Sequence, residues 1–133
     1  MPCAQSSLEY LLVLAAAMSV LLVLLPSISH ALGMVVFAVD SVNARHFAEE
    51  LSSAAEQALL FSDGTSIEIV ARPLGEWVFS VNGKELSLTV VSEPGEKHFL
   101  VEMPVHVPFH VSISKKTVFV IKKEGNEVLI ENY

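Results

Sequence analysis

Between Tyr10 and Val39 the sequence contains no Asp, Glu, Lys or Arg. A helix crosses the hydrocarbon core of a bilayer with about 20 apolar residues, whereas the apolar core of a secretory signal is only about 7–15 long. The first half of the run, Tyr10–Leu25, satisfies either description by length. The whole run exceeds a signal core and is longer than one untilted span requires. Its polar interruptions are Ser19, Ser27, Ser29 and His30, and its helix-perturbing residues are Pro26 and Gly33. Only 17% of the 133 residues are charged, against about 25% in an ordinary soluble domain. The apolar excess therefore lies near the N-terminus.

Apolar character thins after Val39 rather than stopping. Over 40–61, Val42, Phe47, Leu51, Ala54, Ala55, Ala58 and Leu59 recur at roughly the spacing that gathers them on one helical stripe. Alanine is frequent and neither Pro nor Gly intervenes, which favours helix. Ser62-Asp63-Gly64 supplies turn chemistry that ends it. A nearly continuous helix from Ser7 to Phe61 is predicted, on the order of 80 Å long at about 1.5 Å per residue. Pro26 removes one backbone hydrogen bond and is expected to kink it.

Beyond Gly64 the period changes to two. Strands are predicted at Ser66–Ala71, Glu76–Val81, Glu85–Ser92, Phe99–Met103, Phe109–Ser114, Thr117–Lys122 and Glu127–Asn132. Asn82-Gly83 reads as a type I′ hairpin, Glu124-Gly125-Asn126 as a second hairpin and Glu93-Pro94-Gly95-Glu96 as a turn. Pro104 and Pro108 confine the chain between them to an edge or a bend. The expected fold is α+β: a long N-terminal hydrophobic helix followed by a small antiparallel β-sandwich or barrel-like head.

The net charge of −7 shows no basic face, so a nucleic-acid partner is not expected. One cysteine, Cys3, allows neither an internal disulfide nor a metal cluster. No phosphate loop, nucleophile elbow or Cys/His ligand set is present, so neither catalysis nor a cofactor is expected. His106 and His110 have metal spacing only on a helix; in the extended chain that the prolines impose they stand about 13 Å apart. Trp77, Phe79, Phe99, Phe109 and Phe119 are expected in the head core. Lys115-Lys116 and Lys122-Lys123 are expected on a solvated sheet edge.

The first residues carry the most specific signal. A small residue, Ala4, precedes Gln5-Ser6-Ser7-Leu8-Glu9, and the apolar helix begins at once. This resembles the class III signal peptide of archaeal type IV pilin-like proteins, whose pattern is a short leader, then Gln-x-Ser-x-Glu and a long apolar helix. The resemblance covers about the first 35 residues. It rests on Gln5, Ser7 and Glu9, and on their position against the helix. It implies removal of residues 1–4 by a prepilin peptidase cutting between Ala4 and Gln5 on the cytoplasmic side. Glu9 then becomes the fifth mature residue, where type IV pilins also place a glutamate. Pro26 falls at the twenty-second, where many bacterial pilins have a helix-bending proline. Residues 1–4 contain no Lys or Arg, which departs from the family's usual leader.

A carboxylate in an apolar setting is costly unless paired. The resemblance implies that Glu9 meets the freed N-terminal amine of a neighbouring subunit and sets register. Otherwise it marks the interfacial end of a membrane helix. The expected organisation is a leader (1–4), an N-terminal helix (5–61, with 10–39 for membrane and filament core and 40–61 amphipathic) and a β head (62–133). The expected function is a structural subunit, held in the membrane with its head outside the cytoplasm and then assembled with copies of itself or related pilins by a pilus machinery. The alternative is a single-pass anchored protein whose β-domain binds a ligand or adheres without polymerising.

Overall fold

The computed structural model describes residues 2–93, 95–104, 109–125 and 127–133, with side chains from Ser7 onward. The fold is α+β. A single helix, α1 (Pro2–Leu60), precedes β1 (Ser66–Ala71), β2 (Glu76–Asn82), β3 (Glu85–Ser92), β4 (Gly95–Glu102), β5 (His110–Ile113), β6 (Thr117–Glu124) and β7 (Glu127–Asn132). The strands form two antiparallel sheets, one in the order β1-β6-β7 and one in the order β4-β3-β2-β5. The chain divides into two compact units, Met1–Val35 and Val36–Tyr133.

In the second unit, residues 36–60 of α1 supply one wall of the core. Asp40, Ala44, Phe47, Ala48, Leu51, Ala55 and Ala58 are all buried and recur every three or four residues, which is the spacing of a single helical face. Val42, expected on that face, is 56% exposed. It lies five residues before Phe47, about 140° away around the helix at 3.6 residues per turn. Ala44 and Ala48 occupy the stripe positions instead.

Phe47 joins the three layers. Its ring lies 5.8 Å from Trp77 and 5.8 Å from Phe79 on β2, and 5.3 Å from Phe119 on β6. Phe79 and Phe119 meet across the two sheets at 5.4 Å. Trp77, Phe79 and Phe119 are buried, while Phe99 and Phe109 are half-buried against them. Full burial of side chains this size contributes roughly 1.5–3 kcal/mol each, so the aromatic cluster is a main source of head stability.

Other sequence expectations change as well, among them β5, which is His110–Ile113 rather than Phe109–Ser114, and β6, which runs on to Glu124. The β2–β3 loop is Gly83-Lys84, because Asn82 already pairs with Glu85. Gly83 has φ +69° and no described non-glycine residue has a positive φ. A positive φ at the first loop position alone is the type II′ pattern, not type I′. β4 begins at Gly95 rather than Phe99, since Ser92 pairs directly with Gly95. Its first residues, Glu96, Lys97 and His98, are exposed on an edge strand and leave no apolar alternation to read. Lys122 and Lys123 lie on β6, the central strand of its sheet, not on an edge.

Each lysine has a partner. Lys122 Nζ donates to Glu131 at 2.8 Å, and the Tyr133 hydroxyl donates to the same carboxylate at 2.7 Å. These hydrogen bonds, that of Lys122 first, hold the Glu131 carboxyl below its ordinary value, and the same contacts raise Lys122 and Tyr133. Lys123 Nζ donates to the carbonyls of Leu59 at 3.0 Å and Phe61 at 2.9 Å. The last turn of α1 has no basic residue of its own, so β6 supplies the cation that its terminal carbonyls and dipole favour. Lys123→Ala is expected to cost about 1 kcal/mol of head stability. Denaturant unfolding of the full chain in detergent, followed by Trp77 emission, measures it.

Candidate functional site: the apolar helix and the base of the head

Ala4 and Gln5 fall within α1, and Ser7 and Glu9 follow as exposed residues of the same helix. Positions 5 and 9 are one turn apart, whereas positions 7 and 9 are not neighbours on the helix surface. Among the described residues, no group lies within hydrogen-bond reach of the Glu9 carboxylate. The helix continues through Pro26. The proline cannot donate to the carbonyl one turn earlier, so that carbonyl loses its helical partner.

Beyond Glu9 the helix surface is apolar on every side. Leu11, Leu12, Val13 and Leu14 are consecutive and all exposed, as are Leu21 through Leu25. A helix apolar all round is the pattern of a membrane span or of a helix buried in a large core. One stretch of it is long and apolar enough to cross a membrane. Ser19 donates its hydroxyl to the Ala15 carbonyl at 2.8 Å. That internal bond satisfies the hydroxyl without water, as an apolar surrounding demands. A Cβ placed on Gly33 would meet nothing within 4 Å, so this glycine leaves a notch on the helix surface.

The first charge after the apolar run is Asp40, and it is almost fully buried, with 1% exposure. Its carboxylate accepts from Leu74 N at 2.9 Å, Gly75 N at 2.9 Å and Trp77 Nε1 at 3.0 Å. The short connection between β1 and β2 is thereby fastened to the helix. The chain passes close here: a Cβ added at Gly75 would stand 3.1 Å from Asp40 Oδ2 and 3.1 Å from the Val91 carbonyl, tighter than ordinary van der Waals contact. A further tie runs from the Ser52 hydroxyl to the Glu102 carbonyl at 2.7 Å. The sequence reading missed the Asp40 clamp. Its signal was available, since Asp40 stands in phase with Ala44, Phe47 and Leu51 on the buried face.

Beside the clamp the head has a cleft of about 250 Å³. Asn43, His46 and Glu50 line it from α1 and Arg72 from the β1–β2 connection, over Phe47 and Trp77. Of the expected histidine pair, His110 opens β5 and pairs with Ser80, while His106 lies outside the described residues. Among the described residues, no three His, Cys, Asp or Glu side chains come together as metal ligands would.

No known protein family, no curated protein and no solved structure matches the chain.

Proposed function

We propose that the chain is a pilin-like structural subunit. A prepilin peptidase removes residues 1–4, the helix holds the subunit in the membrane, and assembly machinery passes it into a cell-surface filament with the head displayed outside. The observation that carries this reading is the run Gln5-Ser6-Ser7-Leu8-Glu9 set directly against an uncharged apolar helix. Apolar exposure from Leu8 to Val39 supports it. At about 1.5 Å per residue the uncharged run is roughly 45 Å long, more than the ~30 Å hydrocarbon core. A surface of that length is fully covered when neighbouring subunits pack against it. Burial then favours assembly by roughly 25 cal/mol per Å² before association costs.

In this reading Glu9 enters the packed bundle and pairs with an N-terminal amine. A hydrogen bond to a charged group contributes about 1.5–3 kcal/mol. Glu9→Ala is therefore expected to weaken subunit association by about tenfold or more. The amount of filament sheared from cells measures it, with circular dichroism showing an unchanged head. Wild-type filament yield from Glu9→Ala cells would remove the carboxylate from the assembly account.

A further inference from the structure

The strand pairings gather particular connections at the Asp40 end of the head. β1 runs back from the end of α1, and its connection to β2 is fastened to Asp40. Thr117 pairs with Ala71, so Lys115-Lys116 lie at that end too. Tyr133 exchanges backbone hydrogen bonds with Val118 and joins them. The Gly83-Lys84 loop lies at the opposite end, beyond the last residue of β2.

Residues 36–39 belong both to the uncharged run and to the unit that contains the head, and Val36 and Val39 remain exposed there. Side chains of a helix tilt toward its N-terminus, so the Asp40 carboxylate lies level with the turn that holds Val36. There it holds the Leu74 amide at 2.9 Å, while the Leu74 side chain is 60% exposed. An apolar side chain is thereby fixed beside the last turn of the run. At about 1.5 Å per residue the run is roughly 45 Å long, close to the ~40–45 Å of a bilayer with its headgroups. With Glu9 at one surface of the bilayer, Val39 reaches the other, and Leu74 stands at headgroup depth. Tyr133, also exposed at this end, is of a residue type that settles at that depth. The exposed bases here, Arg72, Lys115 and Lys116, are balanced by the exposed acids Glu76, Glu93 and Glu96.

We propose that, before assembly, this end of the head rests on the outer surface of a phospholipid bilayer, with Leu74 inserted among the headgroups. The inference rests on the reading of the helix as a membrane anchor and adds a second lipid contact to it. Lipid is the occupant because the apolar run leads without a charge to the turn beside Leu74. The contact depends on apolar insertion, since the balanced charges give no net attraction to an anionic surface. The helix already holds the chain at the membrane, so seating the head costs little further freedom of motion.

Cys3 is the only cysteine, so a full chain carrying Cys3→Ser accepts one engineered thiol at a time. A nitrobenzoxadiazole label is placed at Leu74→Cys, Lys116→Cys, Lys84→Cys or Val23→Cys, all exposed positions. Each protein is reconstituted in phosphatidylcholine liposomes that carry a nitroxide quencher on the headgroup or deep in the acyl chain. Headgroup nitroxide is expected to quench the labels at 74 and 116 but not the label at 84, and added phosphatidylglycerol should leave this unchanged. Leu74→Ser is expected to shift the head about tenfold toward the unseated state, which reduces quenching of the label at 116, whereas Leu74→Phe should retain it. A label at 74 quenched no more than that at 84, or blue-shifted without quenching as a covering protein would make it, would overturn the proposal. So would unaltered quenching at 116 in Leu74→Ser. The label at 23 keeps the two readings apart. Quenching there by acyl-chain nitroxide without quenching at 74 removes the seating and leaves the membrane span, while no quenching at 23 removes both.

Discussion

Replacing Asp40 by alanine is expected to remove about 3 kcal/mol or more from the stability of the head. The estimate follows from what the substitution strands. Leu74 N, Gly75 N and Trp77 Nε1 all donate to this one buried carboxylate. A buried donor left without an acceptor costs about 1–3 kcal/mol, and three are affected at once. Asp40→Asn keeps one acceptor oxygen for Leu74 N and Trp77 Nε1 but turns its NH₂ group toward the Gly75 N–H, so an intermediate loss is expected. The amides of Leu74 and Gly75 should exchange faster in both variants, and the emission of Trp77 should shift as its indole loses a partner. Gly75→Ala should reproduce part of the effect, because the added methyl presses on the same carboxylate and on the Val91 carbonyl. An Asp40→Ala protein as stable as wild type would mean that the helix and the β1–β2 connection are not joined in this way.

Phe47→Ala carries the second large effect. The side chain is 4% exposed and touches aromatic rings from both sheets. Truncating a buried phenylalanine costs about 3–5 kcal/mol, through lost burial and the cavity left behind. In a domain of this size, that lowers the melting temperature by about 15 °C or more. Because a small domain is stable by only about 5–15 kcal/mol in total, the variant should be partly unfolded near physiological temperature. Thermal unfolding of the full chain in detergent, followed by near-ultraviolet circular dichroism, measures this. A change of less than about 1 kcal/mol, the size of a surface substitution's effect, would show that residues 36–60 do not share a core with the strands.

Much of this fold is legible in the sequence because its elements obey simple periods. Ser66–Ala71, Glu85–Ser92 and Glu127–Asn132 are strands with the predicted bounds; each begins two residues after a turn glycine, and the first two open on alternating polar and apolar side chains. The long helix follows from Leu, Ala and Met in an uncharged run. What was not legible depends on tertiary neighbours. No local pattern says that β1 pairs with distant β6, so the sequence alone places Lys122 and Lys123 on an edge although they lie on a central strand. β4 begins four residues early because pairing with β3, not hydrophobicity, extends it. Val42 is apolar yet faces outward, since a helical stripe is defined by phase and not by composition. Asp40 is hidden for the complementary reason: a charged residue reads as surface until donors from elsewhere in the chain are seen to surround it. The proposed assembly motif is the reverse case, fully visible as Gln5-Ser6-Ser7-Leu8-Glu9 but dependent for its meaning on other molecules.

The N-terminal residue of protein recovered from the cell surface tests the central claim most directly. N-terminal sequencing, or intact mass, should show a chain that begins at Gln5, found in sheared filaments. Surface protein that still begins with Met1 and never sediments as a polymer would contradict the assignment, leaving an anchored head in place of a filament subunit.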